Sequence, residues 1–302
     1  MYDQKISREN PILIIILVDQ SESMEAEFFN DGNKKYTVAD IAKHVIDKFL
    51  FQALRYCQNK KEIRDYIQIA IIGYNTSIKS ALPKIALEEF PIGASRLKNS
   101  FIKKNEYEEM KNNSWITRYE WVQPVSAGVT SMMTALTKAN EISQQWISNH
   151  RNSFPPIIIN ITDGMPTDDL ELSTRLEKNT MGDLDTLEIV SVSKQIQKLK
   201  TNNGNVLICN AHVSPGKKQM ITFPDTVDDL YDDYAELMYK ISSRIPDELL
   251  VRGKEYGFNL KEGAKFFVFN AEISTLLKFV KFGTAATGMS KLPDDDDTRK
   301  LT

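Results

Sequence analysis

Ile12-Leu-Ile-Ile-Ile-Leu-Val18 is an unbroken apolar run that ends at Asp19, and it decides the class of fold. A strand with one face in water alternates apolar and polar residues, whereas this run is apolar at every position. It therefore predicts a strand buried on both faces, as at the centre of a parallel sheet. A chain of 302 residues, 41% of them hydrophobic, is long enough to bury such a core.

Strand and helix patterns alternate after this run. Apolar and β-branched residues predict further strands over 66–74, 155–161, 206–213 and 265–269. Apolar residues at helical spacing predict helices over about 38–57, 133–146, 184–199, 230–241 and 273–280. Thr37 with Asp40 predicts a capping box at the start of the first helix. The alternation is typical of a doubly wound α/β fold, with a mostly parallel central sheet, helices on both faces and one antiparallel edge strand.

We expect a single domain over residues 11–285, preceded by a polar lead at 1–10. The charged run Pro293-Asp-Asp-Asp-Asp-Thr-Arg-Lys follows the last apolar helix, and it predicts a disordered acidic tail over 286–302.

Residues 78–126 interrupt the alternation, because they are polar and rich in Lys, Glu and Asn. We interpret them as an insertion that contains a strand or hairpin near 115–123. Core packing is the first interpretation of the aromatic residues of the chain. Within the insertion, however, Trp115 and Trp121 are also candidates for exposed anchors that contact a partner.

The overall composition narrows the classes of function. The 38 Lys and Arg residues nearly balance the 41 Asp and Glu residues, so the chain lacks the basic field that drives binding to nucleic acids. The run 12–18 is too short to span a bilayer, and the polar N-terminus lacks the apolar core of a cleavable signal. We therefore expect a cytoplasmic protein with no membrane segment. Cys57 and Cys209 lie in separate apolar segments, which predicts buried, inert thiols.

Three loops at one edge of the predicted sheet carry oxygen-bearing side chains. Asp19, Ser21 and Ser23 occupy alternate positions in the loop that follows the first strand. Thr130 comes just before a predicted helix, and Asp163 follows a later apolar strand. Ligands of open parallel sheets bind outside the carboxyl ends of the strands, so we expect these five side chains to lie close together.

This set of side chains predicts a site for a hard divalent cation. Two carboxylates and three hydroxyls, without an imidazole or a thiolate, suit Mg²⁺ or Mn²⁺ better than Zn²⁺ or Cu²⁺. The neutral hydroxyls leave the ion electrophilic, and an octahedral ion still needs an outside oxygen. A carboxylate from a partner protein would fill that position.

The same five residues resemble the metal-ion-dependent adhesion site of von Willebrand factor type A (VWA) domains. That site consists of D-x-S-x-S, a Thr in a later loop and an Asp in a third, which match Asp19, Ser21, Ser23, Thr130 and Asp163. The stretches Asn160-Ile-Thr-Asp-Gly-Met-Pro-Thr-Asp168 and Gly263-Ala-Lys-Phe-Phe-Val-Phe-Asn270 are similar to the bacterial VWA branch linked to tellurite resistance. The resemblance covers most of residues 10–285.

The resemblance implies a module that uses Mg²⁺ to bind an acidic side chain of another protein. It also implies a bacterial stress-response or signalling assembly that contains kinase or phosphatase components. The family usually has Gly where Glu22 stands, and an acidic side chain there adds negative potential or contacts the partner directly. We assign Glu22, Gly128 and Gly164 to the partner-binding surface.

Other interpretations compete with this one. Phosphatases of the haloacid dehalogenase type also place an Asp after the first strand and bind Mg²⁺, but they resemble D-x-D, whereas this chain has Ser21 at the second position. A scaffold with a vestigial metal site is a third interpretation, and all five ligand positions retain side chains that can bind a cation. Nearby, Asp168 and Glu171 predict a helix-capping box rather than an extension of the site.

Overall fold

A computed structural model describes residues 2, 4–32, 34–109, 114–178, 180, 182–215, 219–228 and 230–284 of the chain. For residues 106–109 and 114–117 it describes the backbone but not the side chains. The tail predicted over 286–302 lies outside these residues. Within them, one cluster of buried apolar side chains extends from Ile12 to Phe282.

An eight-stranded sheet lies at the centre of the fold. Its five parallel strands are β1 (Ile12–Asp19), β2 (Ile67–Tyr74), β5 (Ile157–Thr162), β6 (Leu207–Val213) and β8 (Phe267–Ala271). Three short antiparallel strands are β3 (Ile78–Ser80), β4 (Ile92–Gly93) and β7 (Ile221–Thr222). The order across the sheet is β7-β8-β6-β5-β1-β2-β3, with β4 also paired to β2. β1 is therefore an inner strand, and all eight of its residues are buried.

Eight α-helices surround the sheet within the described residues. They are α1 (Val38–Cys57), α2 (Ala94–Leu97), α3 (Met132–Asn149), α4 (Leu170–Glu177), α5 (Glu188–Lys198), α6 (Asp233–Ile241), α7 (Asp247–Leu250) and α8 (Ile273–Gly283). α1 packs against α8, while α3 packs against α5, and α5 against α6. The helices thus form two separate layers over the sheet, as a doubly wound topology requires.

The predicted α/β class is confirmed, with one difference at the edges. We expected one antiparallel edge strand, but β3 and β7 lie antiparallel at both edges. The capping box at the start of α1 is present, because the Thr37 side chain accepts from Asp40 N while the Asp40 carboxylate accepts from Thr37 N. Among the described residues, no helix has the length and apolarity needed to cross a membrane.

Residues 78–126 contribute two strands to the central sheet and also form a hairpin. Their first part supplies β3 and β4 to the central sheet, and their polar character fits strands at an exposed edge. The expected hairpin is present, formed by Lys103–Glu109 and Ser114–Glu120. Trp121 is fully buried, and its Nε1 donates to Leu97 O at 3.0 Å. The interpretation of Trp121 as an exposed anchor is therefore wrong, whereas the Trp115 side chain lies outside the described residues.

A buried carboxylate on α1 ties the end of this segment to the core. Asp47 Oδ1 accepts from Trp121 N at 2.8 Å and from Val122 N at 3.2 Å. Lys43 Nζ donates to Asp47 Oδ2 at 2.7 Å and also pairs with Glu120 at 2.9 Å. Burial raises the pKa of Asp47 although these partners oppose it, whereas the two carboxylates outweigh burial and raise the pKa of Lys43.

A strip of polar side chains crosses the otherwise apolar sheet. Tyr74 donates its hydroxyl hydrogen to Asn160 Oδ1 at 2.8 Å, and Asn160 Nδ2 donates to Asn210 Oδ1 at 3.1 Å. Asn210 Nδ2 in turn donates to Ser242 Oγ at 2.8 Å. All four residues are fully buried, so the strip satisfies polar groups that would otherwise be costly in the core.

The two cysteines and two of the three histidines pack within the fold. Cys57 and Cys209 are buried and unpaired with each other, as expected, and burial raises the pKa of the Cys57 thiol to about 12. His150 stacks on Trp146, and His212 stacks on Phe269.

Candidate metal centre

The candidate site lies where the connections of the sheet diverge. α1 carries the chain from β1 to β2 on one side, whereas the connection through α3 carries it back across β1 to β5 on the other side. Strands β1 and β5 are neighbours, and a crevice opens at the carboxyl ends of such a pair. Asp19 ends β1 and Asp163 follows β5, so both carboxylates lie at this crevice.

Asp19 is held by two hydrogen bonds at the end of its strand. Its Oδ1 accepts from Ser21 N at 2.8 Å, and its Oδ2 accepts from Thr162 Oγ1 at 2.7 Å. The residue is only 1% exposed. The carboxylate is therefore fixed in position by a backbone N–H of its own loop and by a hydroxyl from the neighbouring strand β5.

Two of the hydroxyls and the second carboxylate form a connected group, and the Thr130 hydroxyl lies close to it. Ser21 Oγ lies 3.0 Å from Ser23 Oγ, and Ser23 Oγ donates to Asp163 Oδ1 at 2.7 Å. A Cβ atom built on Gly164 would lie 3.4 Å from Ser23 Oγ and 3.6 Å from Thr130 Oγ1, so Gly164 lies beside both hydroxyls. The structure thus brings together the five side chains that the sequence singled out.

Backbone hydrogen bonds fix the loops relative to one another. Glu22 N donates to Gly128 O at 3.0 Å, which joins the first loop to the second. Thr167 N donates to Thr130 O at 2.9 Å, which joins the second loop to the third. Gly128 has a φ of +77°, and a Cβ there would overlap Thr76 Oγ1, so this position requires glycine. The Glu22 side chain is exposed beside Gly128, and the partner-binding role of Glu22, Gly128 and Gly164 stays a prediction.

Both carboxylates are destabilised in the charged form. Burial raises the pKa of Asp19 to about 6, in spite of its hydrogen bonds to Ser21 and Thr162, and the nearby Asp163 raises it further. Burial likewise raises the pKa of Asp163, against the hydrogen bond from Ser23. Two adjacent, partly desolvated carboxylates are an environment that a cation would stabilise strongly.

The donor set fits a hard cation that uses hydroxyl ligands. Among the described residues, no group of three or more His, Cys, Asp and Glu side chains is arranged to hold a metal ion. A cation at this crevice would therefore depend on Ser21, Ser23 and Thr130 together with the two carboxylates. Oxygen donors of this kind suit Mg²⁺ or Mn²⁺.

Thr162 is a site residue that the sequence reasoning did not single out. Its hydroxyl donates to Asp19 and also accepts from Gly164 N at 3.2 Å, and the Tyr234 hydroxyl lies 3.5 Å away. The available signal was its position as the last residue of a buried strand, next to Asp163. A hydroxyl at that point faces the end of the adjacent strand, where Asp19 lies.

Asp168 has a different role from the one expected. Its two carboxylate oxygens accept from Met133 N at 3.0 Å and Thr134 N at 2.7 Å, so it caps α3 across the loops. Asp169 is the N-cap of α4, where it accepts from Leu172 N. The predicted capping box of Asp168 with Glu171 is therefore wrong, because the cap of α4 lies one residue later.

Comparisons with known proteins give weak similarities. No protein-family model and no curated protein matches the chain. Among solved structures, three N-terminal domains of the type V pili tip protein Mfa5 from Porphyromonas gingivalis are 15% identical, covering 52% of this chain and 20% of that chain, with a TM-score of 0.30. The PilB minor pilin from Streptococcus sanguinis is 13% identical, covering 94% and 64%, with a TM-score of 0.46. The vWF domain of Mfa5 is 11% identical, covering 95% and 99%, also with a TM-score of 0.46.

The chain spans less than two thirds of the length of the first two of these structures. The chemistry of the candidate site follows from its own residues.

Proposed function

We propose that this chain is a VWA-like module that binds Mg²⁺ and, through the ion, an acidic side chain of another protein. The convergence of five oxygen-bearing side chains from three loops supports this most strongly. Ser23 Oγ lies 3.0 Å from Ser21 Oγ and 2.7 Å from Asp163 Oδ1. These three oxygens are close enough to one another to bind the same ion.

Each residue has a distinct part in the proposed site. Asp19 and Asp163 supply two negative charges, and the hydroxyls of Ser21, Ser23 and Thr130 supply neutral oxygens. Thr162 and the Ser21 backbone N–H orient Asp19. Bound there, Mg²⁺ would supply an electrophilic coordination position for an oxygen from outside the chain.

A partner carboxylate is the ligand that such a position favours. Glu22 is exposed beside the site, and its negative charge would repel a ligand that carries several acids close together. We therefore propose that the partner presents one acidic side chain between neutral or basic neighbours.

The biological setting is proposed from the sequence resemblance alone. We place the module in a bacterial stress-response or signalling assembly of the tellurite-resistance type, in the cytoplasm, with kinase or phosphatase components as candidate partners.

Binding is favoured over catalysis by the residue at position 21. A phosphatase of the haloacid dehalogenase type uses a second Asp there as its acid and base, whereas the Ser21 hydroxyl is a poor proton donor and acceptor at neutral pH. Mg²⁺-dependent turnover of a generic phosphate ester by the purified protein would favour the phosphatase instead.

Thermal unfolding in a Mg²⁺ titration tests the ion site directly. Mg²⁺ is expected to raise the unfolding temperature of the wild type, because a ligand that binds only the folded state stabilises it. Ser21→Ala and Asp19→Ala are expected to abolish the rise. Ser191→Ala, at an exposed serine on α5, is the matched control and is expected to retain it. An equal rise in all four proteins would refute the proposed ligand set.

A pull-down with and without chelator tests the binding function. A partner captured in Mg²⁺ is expected to be lost in chelator and with Asp163→Ala, but retained with Ser191→Ala. Capture of the same partner at equal yield without metal would count decisively against metal-dependent binding.

A further inference from the structure

A surface groove of about 440 Å³ lies at the opposite end of α3 from the candidate metal centre. One wall is the last turns of α3 with Arg151, and the other is the segment 198–202 that follows α5. α3 begins two residues after Thr130 and has 18 residues, so at ~1.5 Å per residue it is about 27 Å long. The groove is therefore a separate place on the molecule.

Three cations border the groove. Arg151, Lys198 and Lys200 are exposed, and none of them forms an ion pair with another described residue. The described lining contains no Asp or Glu. Nearby lysines behave differently, since Lys194 and Lys240 both pair with Asp185 at 2.8 Å. The positive charge at the groove is thus left available for an outside anion.

The rest of the lining indicates what kind of anion fits. Ile147 and Leu199 are half-buried and offer aliphatic contact between the cations. Gln144 Nε2 donates to Asn140 and Asn202 Nδ2 donates to Asn152, and each amide also has a carbonyl oxygen that can accept from a peptide N–H. No aromatic side chain is found among the described residues that line the groove, so they provide no stacking platform for a nucleotide base.

We infer that the groove binds a peptide segment of a partner in which carboxylates flank an aliphatic side chain. Arg151, Lys198 and Lys200 pair with the carboxylates, while Ile147 and Leu199 contact the aliphatic side chain. The volume lies within the range of ~300 to 1,000 Å³ usual for ligand clefts. This site needs no metal and stands apart from the proposed Mg²⁺-dependent function.

Fluorescence anisotropy with a labelled peptide Glu-Asp-Leu-Asp-Glu tests the inference on the full chain. Chelator is present throughout, so that the peptide cannot bind through Mg²⁺. Saturable binding is expected, and the triple variant Arg151→Glu, Lys198→Glu, Lys200→Glu is expected to weaken it at least about tenfold. Single replacement Lys200→Gln should weaken it about threefold. The neutral peptide Gln-Asn-Leu-Asn-Gln is expected not to bind.

Control variants separate the groove from general charge effects and from the metal centre. Lys79→Glu with Lys98→Glu changes two exposed lysines elsewhere and is expected to leave peptide affinity unchanged. Asp19→Ala is likewise expected to bind the peptide as the wild type does. Equal affinity in the triple variant and wild type, or loss of binding in Asp19→Ala, would overturn the inference. Complete displacement of the peptide by millimolar inorganic phosphate would overturn the peptide assignment as well.

Discussion

Two buried aspartates, Asp19 and Asp47, differ in the charges that surround them. Both are at most 8% exposed, and burial raises the pKa of each. Asp47 has the Lys43 ammonium at 2.7 Å and two backbone N–H donors, so its charge is balanced within the protein. Asp19 makes no ion pair in the described part of the chain and has a second carboxylate, Asp163, as its neighbour.

The difference is whether the charge of the carboxylate is balanced by a cation within the protein. An internal cation fixes the position of an acid and offsets its desolvation, whereas an acid left without a cation raises the energy of the fold unless a cation arrives from outside. Asp47 therefore holds the end of the 78–126 segment on α1. Asp19 has the electrostatic environment of a ligand for an external ion.

The largest loss of stability is expected when Asp47, whose charge is balanced by Lys43, is replaced. Asp47→Ala should lower the free energy of unfolding by about 3 kcal/mol, because it leaves the Trp121 and Val122 N–H groups without an acceptor and breaks a buried ion pair. Urea unfolding measures the loss. Asp47→Asn, which keeps an acceptor oxygen, should lose less, and an Ala variant as stable as the wild type would mean that the contact contributes nothing.

In the metal-free protein, the negative charge of Asp19 is expected to destabilise the fold. Its folded-state pKa is raised from 3.8 to about 6, so the folded protein retains a proton that the unfolded chain releases between about pH 4 and pH 6. This contribution to stability is present below about pH 4 and is lost as the pH rises to about 6, by on the order of 3 kcal/mol.

Asp19→Asn isolates that contribution. In chelator, the difference in unfolding free energy between Asp19→Asn and the wild type should grow in favour of the variant from pH 4 to pH 6. A difference that is flat across this range would show that Asp19 is not destabilised by burial.

Saturation with Mg²⁺ should stabilise Asp47→Asn but not Asp19→Asn. At an ion concentration of about 100 times the dissociation constant, a single site stabilises the folded protein by about 2.7 kcal/mol. Wild type and Asp47→Asn should both gain this amount, whereas Asp19→Asn should gain none. Equal gains for the two Asn variants would remove the distinction between the aspartates.

The smallest effect is expected from the hydroxyl that orients Asp19. Thr162→Val removes the 2.7 Å hydrogen bond and keeps the β-branched shape, so Mg²⁺ affinity should fall about tenfold, or about 1.4 kcal/mol. Thr222→Val, at an exposed strand position, is the matched control. Calorimetric titration of both variants would contradict the orienting role if their affinities agree.

Local sequence was sufficient for the five parallel strands, for α1, α3, α5, α6 and α8, and for the metal-site candidates. An apolar strand followed by D-x-S-x-S, and a second one followed by Asp163, place their polar residues at one edge by the rules of parallel sheets alone. The same reasoning could not find Asp47, since helical spacing marks only the apolar positions of α1, and Asp47 accepts a hydrogen bond from Trp121 N, 74 residues later.

The incorrect interpretations of Trp121 and Asp168 have the same cause. Trp121 follows a polar stretch, which makes it a candidate for a surface anchor, but its burial depends on Leu97 and α1 rather than on its neighbours in sequence. Asp168 precedes α4 in sequence yet caps α3, because the loops cross at the end of the sheet. Long-range contacts of this kind have no local pattern.

The buried amides of Asn160 and Asn210 have a further consequence for how the crevice is assembled. They stand directly opposite each other in β5 and β6. Sliding β6 by one residue would turn Asn210 to the other face and set Cys209 or Ala211 against an amide with nothing to bond. Leucines in place of Asn160 and Asn210 would pack well and tolerate the slip. The amide pair therefore fixes the register of β5 and β6, and with it the relative positions of the loops that follow these strands.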